Sequence, residues 1–294
     1  LDNKINDDGE SFSLFEENQS KKIAQRKSKL LQKKIKQYVT VVSKTDKENL
    51  KCEIENLKWD LIELTVEEEC ETDKLDEIKD LRKRRIKPFF IWKLEFGEVF
   101  KNSGGFDVVI GNPPYGISIK DDYRRMVLNE LGKVPDFEIY YYFIELGKRL
   151  LKNNGINSFI TPNTFIFNVF AANYREKILK EWDVKMILDC TAFKLFDDAV
   201  VHNAITVFKK TPKGSKQVGY KNTLDASSFH SLIIRDTKYL SKEVLLTNNI
   251  NWGLVFKLPK NVLMIINKIK KMTGSISDLF EVSQGFIPYR RKDL

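Results

Sequence analysis

Cysteine and histidine are scarce in this chain. Its three cysteines, Cys52, Cys70 and Cys190, lie far apart and form no CxxC pair, and its two histidines are His202 and His230. A zinc ribbon and a disulfide scaffold are thereby excluded, no metal site is expected, and a reducing cytoplasm is the fitting compartment. Long apolar runs are missing as well. The longest, around Phe89–Trp92 and Val262–Ile266, are short and flanked by lysines, far below the roughly 18 residues a membrane span needs. No apolar segment follows the opening Leu1-Asp2-Asn3-Lys4, so no signal peptide is read there, and a start on leucine suggests a piece of a longer polypeptide.

Charge, by contrast, is plentiful. Charged residues make up 31% of the chain, with a net charge of +9, which points weakly to a polyanionic partner. From Lys21 to Lys36, eight basic residues surround Ile23, Leu30, Leu31 and Ile35, the pattern of an amphipathic helix. A second helix is expected from Thr45, where Thr45 and Glu48 have capping-box spacing. Its residues Leu50, Ile54, Leu57, Leu61 and Leu64 alternate steps of four and three, as in a coiled-coil seam. Acidic residues gather between Asp60 and Asp80, with Glu67, Glu68, Glu69 and Glu71 at the centre. A basic helix followed by an acidic one predicts an antiparallel hairpin.

After Pro88 the texture changes to apolar runs bounded by glycine and alternating with helical patterns, which predicts an α/β fold with parallel strands. Strands are expected at Phe106–Ile110, Ile156–Thr161, Val184–Asp189 and Ala204–Lys209. Helices are expected at Asp136–Lys152, stopped by Asn153-Asn154-Gly155, and at Asn173–Trp182, capped by Asn173. A linker follows Thr211, a helix spans Asn261–Met272, and Leu279–Gly285 reads as the opening of another domain. The expected domains are 1–86 (charged helical hairpin), 87–212 (catalytic α/β region) and 213–294 (linker and start of a recognition domain).

The segment that carries chemistry is FDVVIGNPPYG, Phe106–Gly116. A buried strand delivers Asn112-Pro113-Pro114-Tyr115 at its carboxyl end, where α/β sheets bind ligands. An exocyclic amine conjugated with a base is a poor nucleophile. It improves when acceptors hold its two hydrogens, and an asparagine oxygen and a backbone carbonyl of the proline pair can do so. The prolines keep that carbonyl aimed, and Tyr115 offers a flat face for a base taken out of a duplex. Pro135-Asp136-Phe137-Glu138 opens like a nuclease motif, but no ExK follows.

With these residues in view, the chain resembles the amino-methylating (gamma-class) DNA adenine-N6 methyltransferases, above all those of type IIG restriction–modification enzymes. KPFFIWKLEFGEVFKNSGGFDVVIGNPPY, Lys87–Tyr115, looks like the approach to their catalytic motif. The long charged helical insertion is similar to theirs. The resemblance implies the C-terminal half of a Rossmann-like S-adenosylmethionine-dependent sheet in a prokaryotic cytoplasm, with double-stranded DNA as partner. It implies that Phe143, in FIELGKRLLKNNG, lines the adenine pocket of the cofactor. It also implies that Phe196, in FDDAVVHNAITVFKK, packs with Tyr115 on the target base. Arg290, Arg291 and Lys292 would contact phosphate at the start of the recognition domain.

One part of that family's pattern is missing. The only glycines ahead of Gly111 are Gly9, Gly97, Gly104 and Gly105, and none reads as the glycine-rich cofactor loop between a strand and a helix. The main S-adenosylmethionine loop is therefore expected on a missing N-terminal half of the same protein, or on a partner subunit. Without it the first strand would leave an unpaired apolar edge, and the isolated chain should bind cofactor weakly and be inactive. Two other readings remain open: a protein-glutamine N5 methyltransferase, whose amide poses the same chemical problem, and a non-catalytic DNA-binding or assembly module.

Overall fold

The computed structural model describes residues 19–68, 72–120, 123–125, 127–128, 134–135, 138–191, 195–196, 201–211, 213–222, 228–249, 251–272, 274 and 280–281. Arg290, Arg291, Lys292 and most of Leu279–Gly285 lie outside them. Among the described residues, no helix is long and apolar enough to cross a membrane.

The chain begins with two long helices, α1 (Gln19–Thr40) and α2 (Lys44–Glu68), followed by α3 (Thr72–Lys83). Lys27 pairs with Asp60 at 2.5 Å and Lys34 with Glu53 at 2.6 Å, so partner numbers fall along α2 as they rise along α1 and the two helices are antiparallel. Helix α2 starts one residue before Thr45, and the Ser43 hydroxyl accepts from Asp46 N. The hydroxyl that reaches the first turn is thus that of Ser43. Ala24, Leu31, Ile54, Trp59, Leu61 and Ile62 form a small core of their own with Ile91 and Leu94. Burial on α2 is broader than a two-helix seam because α1, α3 and residues 87–95 all pack around it.

Among these contacts Lys58 is nearly buried. Its ammonium meets Glu55 at 2.8 Å and Glu95 at 2.5 Å, and Glu95 also meets Lys87 at 2.6 Å. Burial alone would raise the Glu95 carboxyl, but hydrogen bonds and charge from Lys58 and Lys87 outweigh it and hold the group below its ordinary 4.5. Asp60 behaves alike: burial is opposed and outweighed by Lys27 and Arg82, and the group lies below 3.8. Lys58 is raised above 10.5, the pull of burial being overcome by Glu55 and Glu95. The carboxylates therefore stabilise the fold fully above their ordinary values and lose that contribution as pH falls through the depressed ones. Lys58 stabilises fully below 10.5 and loses its part only above it. Circular-dichroism melts should show a flat plateau from about pH 6 to 9 and a falling midpoint below about pH 4. Glu95→Gln should shrink the acid fall, and a midpoint unchanged down to about pH 2 would contradict the ion network.

Short helices α4 (Trp92–Glu95) and α5 (Gly97–Ser103) lead into strand β1 (Phe106–Gly111). Phe96 and Phe100 both pack edge-on against Phe106, joining α5 to the sheet. Gly104 caps α5 at φ 70°. Gly105, at φ 137°, lies so close to the backbone that a Cβ there would stand 2.5 Å from Leu150 O and 2.7 Å from Lys152 N. These glycines therefore serve a turn and a close backbone approach. Gly105→Ala should cost about 2 kcal/mol or more, since neither backbone can yield cheaply. A denaturant midpoint within error of the unsubstituted chain would refute that.

The remaining elements are α6 (Ile139–Leu150), β2 (Leu151–Pro162), α7 (Thr164–Phe167), a 3-10 turn (Val169–Ala171), α8 (Ala172–Glu181), β3 (Asp183–Asp189), β4 (Asn203–Lys209), β5 (Gln217–Asn222), α9 (Phe229–Ile234), β6 (Lys238–Ser241), α10 (Lys242–Thr247), α11 (Trp252–Lys257) and α12 (Lys260–Met272). The six strands form one sheet in the order β1-β2-β4-β3-β5-β6, so the chain is α/β. The sheet is mixed and not wholly parallel. Strand β1 is parallel to β2 and β3 to β5, but β4 runs antiparallel between β2 and β3, and β6 antiparallel to β5. Strand β4 follows β3 without a described crossover helix, and a parallel return needs such a crossover.

Asn153-Asn154-Gly155 does not stop a helix before a loop. Helix α6 ends at Leu150 and the chain becomes extended at once, with Asn154 at φ 66° beside a shift of the β1–β2 register. Asn and Gly here serve a β-bulge. Asn173 does not cap α8 either: Ala171 is the N-cap and makes no side-chain bond. Beyond the expected linker, β5 and β6 continue the sheet, and Trp252, Val255 and Phe256 join the same core as Phe159 and Phe208. The expected boundary after residue 212 thus falls between two strands of one sheet.

The two faces of the sheet differ. Asn157, Phe159, Thr206, Phe208 and Ile187 point into the core beneath α6, α8 and α11 and are buried. On the other face Val108 pairs with Ile156, and Ile160 with Ile205, which pairs with Leu188. Val108 and Ile110 are 54% and 79% exposed, and Ile156, Ile160, Leu188 and Ile205 are half-buried. Among the described strands, β1 forms one edge of the sheet.

Candidate active site

Parallel β1 and β2, together with β3, place three chain segments at one end of the sheet: residues 112–116 after β1, 163–171 after β2, and the described residues 190–191 and 201–202 between β3 and β4. The motif residues divide the work. Asn112 is exposed and open to a ligand, Pro113 is buried and roots the loop, Pro114 is exposed, and Tyr115 is half-buried against the main core. A Cβ at Gly111 would meet the Phe159 ring at 3.3 Å, so a larger residue there would require the ring to give by a few tenths of an ångström.

Two bonds beyond the motif hold the loop. Gly116, at φ 72°, donates its N–H to Glu138 Oε2 at 3.2 Å. Asn203 Nδ2 donates to the Tyr115 hydroxyl at 3.3 Å. Glu138, weighed from sequence as part of a nuclease motif, is a brace of this loop, and it is still extended just before α6 begins at Ile139. The helix therefore starts later than Asp136, which lies outside the described residues.

At the same sheet end is a largely buried polar network. Asp189, ending β3, accepts from Thr191 N at 3.1 Å, from the Thr191 hydroxyl and from the Tyr220 hydroxyl at 2.9 Å, and Lys257 lies 3.3 Å away. Asn163 Nδ2 reaches the Thr191 hydroxyl at 2.9 Å. Burial, and then the Asp189 charge, push the Tyr220 hydroxyl well up, so it stays a proton donor to Asp189. The network joins the ends of β2, β3 and β5 and stiffens the floor of the site. Nearby, burial raises the Cys190 thiol to about 11, which leaves it protonated and a poor nucleophile.

Phe196 is half-buried in the β3–β4 connection, at the same sheet end as Tyr115. Phe143 is 36% exposed, whereas Tyr140, Tyr141, Tyr142 and Ile144 on the same helix are buried. It thus stands apart from the core of α6. The bracing roles of Asn203 and Glu138 were not read from sequence. For Asn203 the available signal is an asparagine opening a mainly apolar strand, Asn203–Lys209.

Residues 11–196, more than half of the chain, match the sequence profile of the family described as Eco57I restriction-modification methylase. The chain belongs to that family. RM.MjaORFECS2P of Methanocaldococcus jannaschii, named for a type II restriction enzyme and methyltransferase, is 28% identical to this Eco57I-family chain over 225 residues, 71% of this chain and 17% of that protein. RM.Eco57I of Escherichia coli, a type II restriction enzyme and methyltransferase, is 22% identical over 192 residues, 61% of this chain and 18% of that protein. The type II methyltransferase M.BanIII of Aneurinibacillus aneurinilyticus is 28% identical over 121 residues, 40% and 20% of the two chains. The chain thus spans about a fifth of the length of these curated relatives. Among solved structures, the type IIG restriction endonuclease BpuSI matches 56% of this chain and 22% of its own, at 16% identity and a TM-score of 0.41.

Proposed function

We propose that this chain supplies the catalytic region of a DNA adenine-N6 methyltransferase within a type IIG-like restriction–modification protein. One observation carries the reading: an exposed Asn112 at the carboxyl end of the parallel β1–β2 pair, followed by a buried proline and a braced tyrosine. The Asn112 side-chain oxygen accepts one hydrogen of the adenine amine and the Pro113 carbonyl the other. Tyr115 and Phe196 stack on the base. No ionisable base is required, because the amine sheds its proton after it has become cationic.

S-adenosylmethionine, when bound, supplies the electrophilic methyl group. The described residues fit that group only in part. Phe143 offers one exposed aromatic wall, whereas Gly104 and Gly105 are committed to a helix cap and a close backbone contact. The edge of β1 and the apolar face carrying Val108 and Ile110 suit a further segment of the same polypeptide, or a subunit, that brings the cofactor loop. The helical hairpin before residue 87 belongs to the same reading, as does a catalytic region whose sheet runs past residue 212 through β6, with a recognition domain opening beyond it. So do phosphate contacts by Arg290, Arg291 and Lys292 on double-stranded DNA.

The test is mass spectrometry of DNA and protein from cells expressing the encompassing polypeptide. N6-methyladenine in DNA is the expected product. N4-methylcytosine would keep the amine chemistry and refute adenine, and methylated glutamine in a protein would overturn the DNA reading. Micromolar binding of S-adenosylmethionine to the isolated chain, measured by isothermal titration, would sink the claim that the cofactor loop lies elsewhere.

A further inference from the structure

Tyr115 can stack on a base only if its ring plane is fixed before the base arrives, and a half-buried ring on a loop is free to tilt unless its far end is held. That end is the hydroxyl, and Asn203 Nδ2 donates to it at 3.3 Å. Asn203 is suited to the task. It is 1% exposed, it pairs with Pro162 as the first residue of β4, and its carbonyl accepts from Cys190 N at 2.9 Å. Its neighbour His202 accepts from Asn163 N at 2.9 Å. The asparagine is therefore locked to the ends of β2 and β3, 88 residues along the chain from the ring it touches. At its near end the loop is held separately, by Gly116 N on Glu138.

We propose that Asn203 is a positioning residue, setting the tilt of the Tyr115 ring through its hydroxyl, and that this hydroxyl serves as an anchor and takes no part in proton transfer. The inference rests on the reading of Tyr115 as the stacking platform. Buried amide-to-hydroxyl bonds orient because an unpaired amide in this setting is costly, which leaves few competing geometries.

Two measurements test it. The first uses this chain alone, with 3-fluorotyrosine placed only at position 115. Its 19F resonance should lie away from the unfolded-chain position, and Asn203→Ala should draw it back while circular dichroism stays unchanged. A resonance that does not respond to Asn203→Ala would overturn the anchor.

The second is a double-mutant cycle on methyl transfer in the encompassing polypeptide, at a temperature where all variants are folded. Asn203→Ala and Tyr115→Phe should each lower kcat/KM about 5- to 20-fold, and together by no more than either alone. Additive losses, or full activity in Tyr115→Phe, would overturn the proposal. Asn112→Ala separates the two claims. If Asn112→Ala methylates normally, the catalytic reading itself has failed. If it is inactive while Asn203→Ala is silent, only the anchor has failed.

Discussion

Asn112→Ala should reduce methyl transfer by about a hundredfold to a thousandfold or more, the range seen when a single preorganised polar contact to developing charge is removed. On the reading proposed above, the adenine amine becomes cationic as it attacks. An acceptor already aimed at its hydrogen gains strength along the reaction, so its loss falls on kcat more than on KM. Asn112 is exposed and lies beyond the last residue of β1, so the melting temperature should move little. Asn112→Asp keeps an acceptor oxygen and adds negative charge near the developing cation, and should retain far more activity than alanine. The check is single-turnover transfer of labelled methyl groups by the encompassing polypeptide. An alanine variant within about tenfold of the unsubstituted rate would remove Asn112 from the chemistry.

The segment proposed as the site stands out in the sequence because its parts are contiguous: a strand, a glycine, an acceptor, two prolines and an aromatic within eleven residues. Strands β3 and β4 were each expected to within one residue for a related reason, since each is a short apolar run with polar neighbours. Direction was less legible. Whether β4 runs with or against β3 depends on the path of residues 190–202, which contain no pattern that requires a crossover. The bulge at Asn154 was mistaken for a helix stop because Asn and Gly serve both purposes, and only pairing with Phe106 and Val108 separates them. Contacts over long separations were invisible: Asn203 with Tyr115, Glu138 with Gly116, and Trp252 with Phe165 at 6.0 Å. Each joins residues that look unremarkable in their own segments.

The largest stability effect expected comes from another such contact. Arg175 on α8 is 0% exposed. Its Nη1 donates to Phe165 O and to Asn168 O, each at 2.9 Å, and its Nε and Nη2 donate to Asn249 O at 3.0 and 2.6 Å. Its guanidinium also lies 5.7 Å from the Trp252 ring centre. Burial draws its pKa down to about 10, so it remains charged at neutral pH. One side chain thus satisfies carbonyls on α7, on the residue capping the 3-10 turn, and on the segment leading to α11. Arg175→Met fills much of the volume but leaves three carbonyl oxygens without this donor, and should cost about 3–5 kcal/mol. Arg175→Lys keeps the charge but cannot span three directions at once, so it should recover less than half of the loss. Equilibrium urea unfolding measures both, and a Met variant within about 1 kcal/mol of the unsubstituted chain would contradict the clamp. Because residues 163–171 flank the mouth of the site, a folded Arg175→Lys variant should also lose activity, whereas a surface control such as Lys180→Ala should not. Such a loss would couple stability and catalysis through one turn, since the guanidinium that closes the core under α8 also holds a turn at the same sheet end as Asn112.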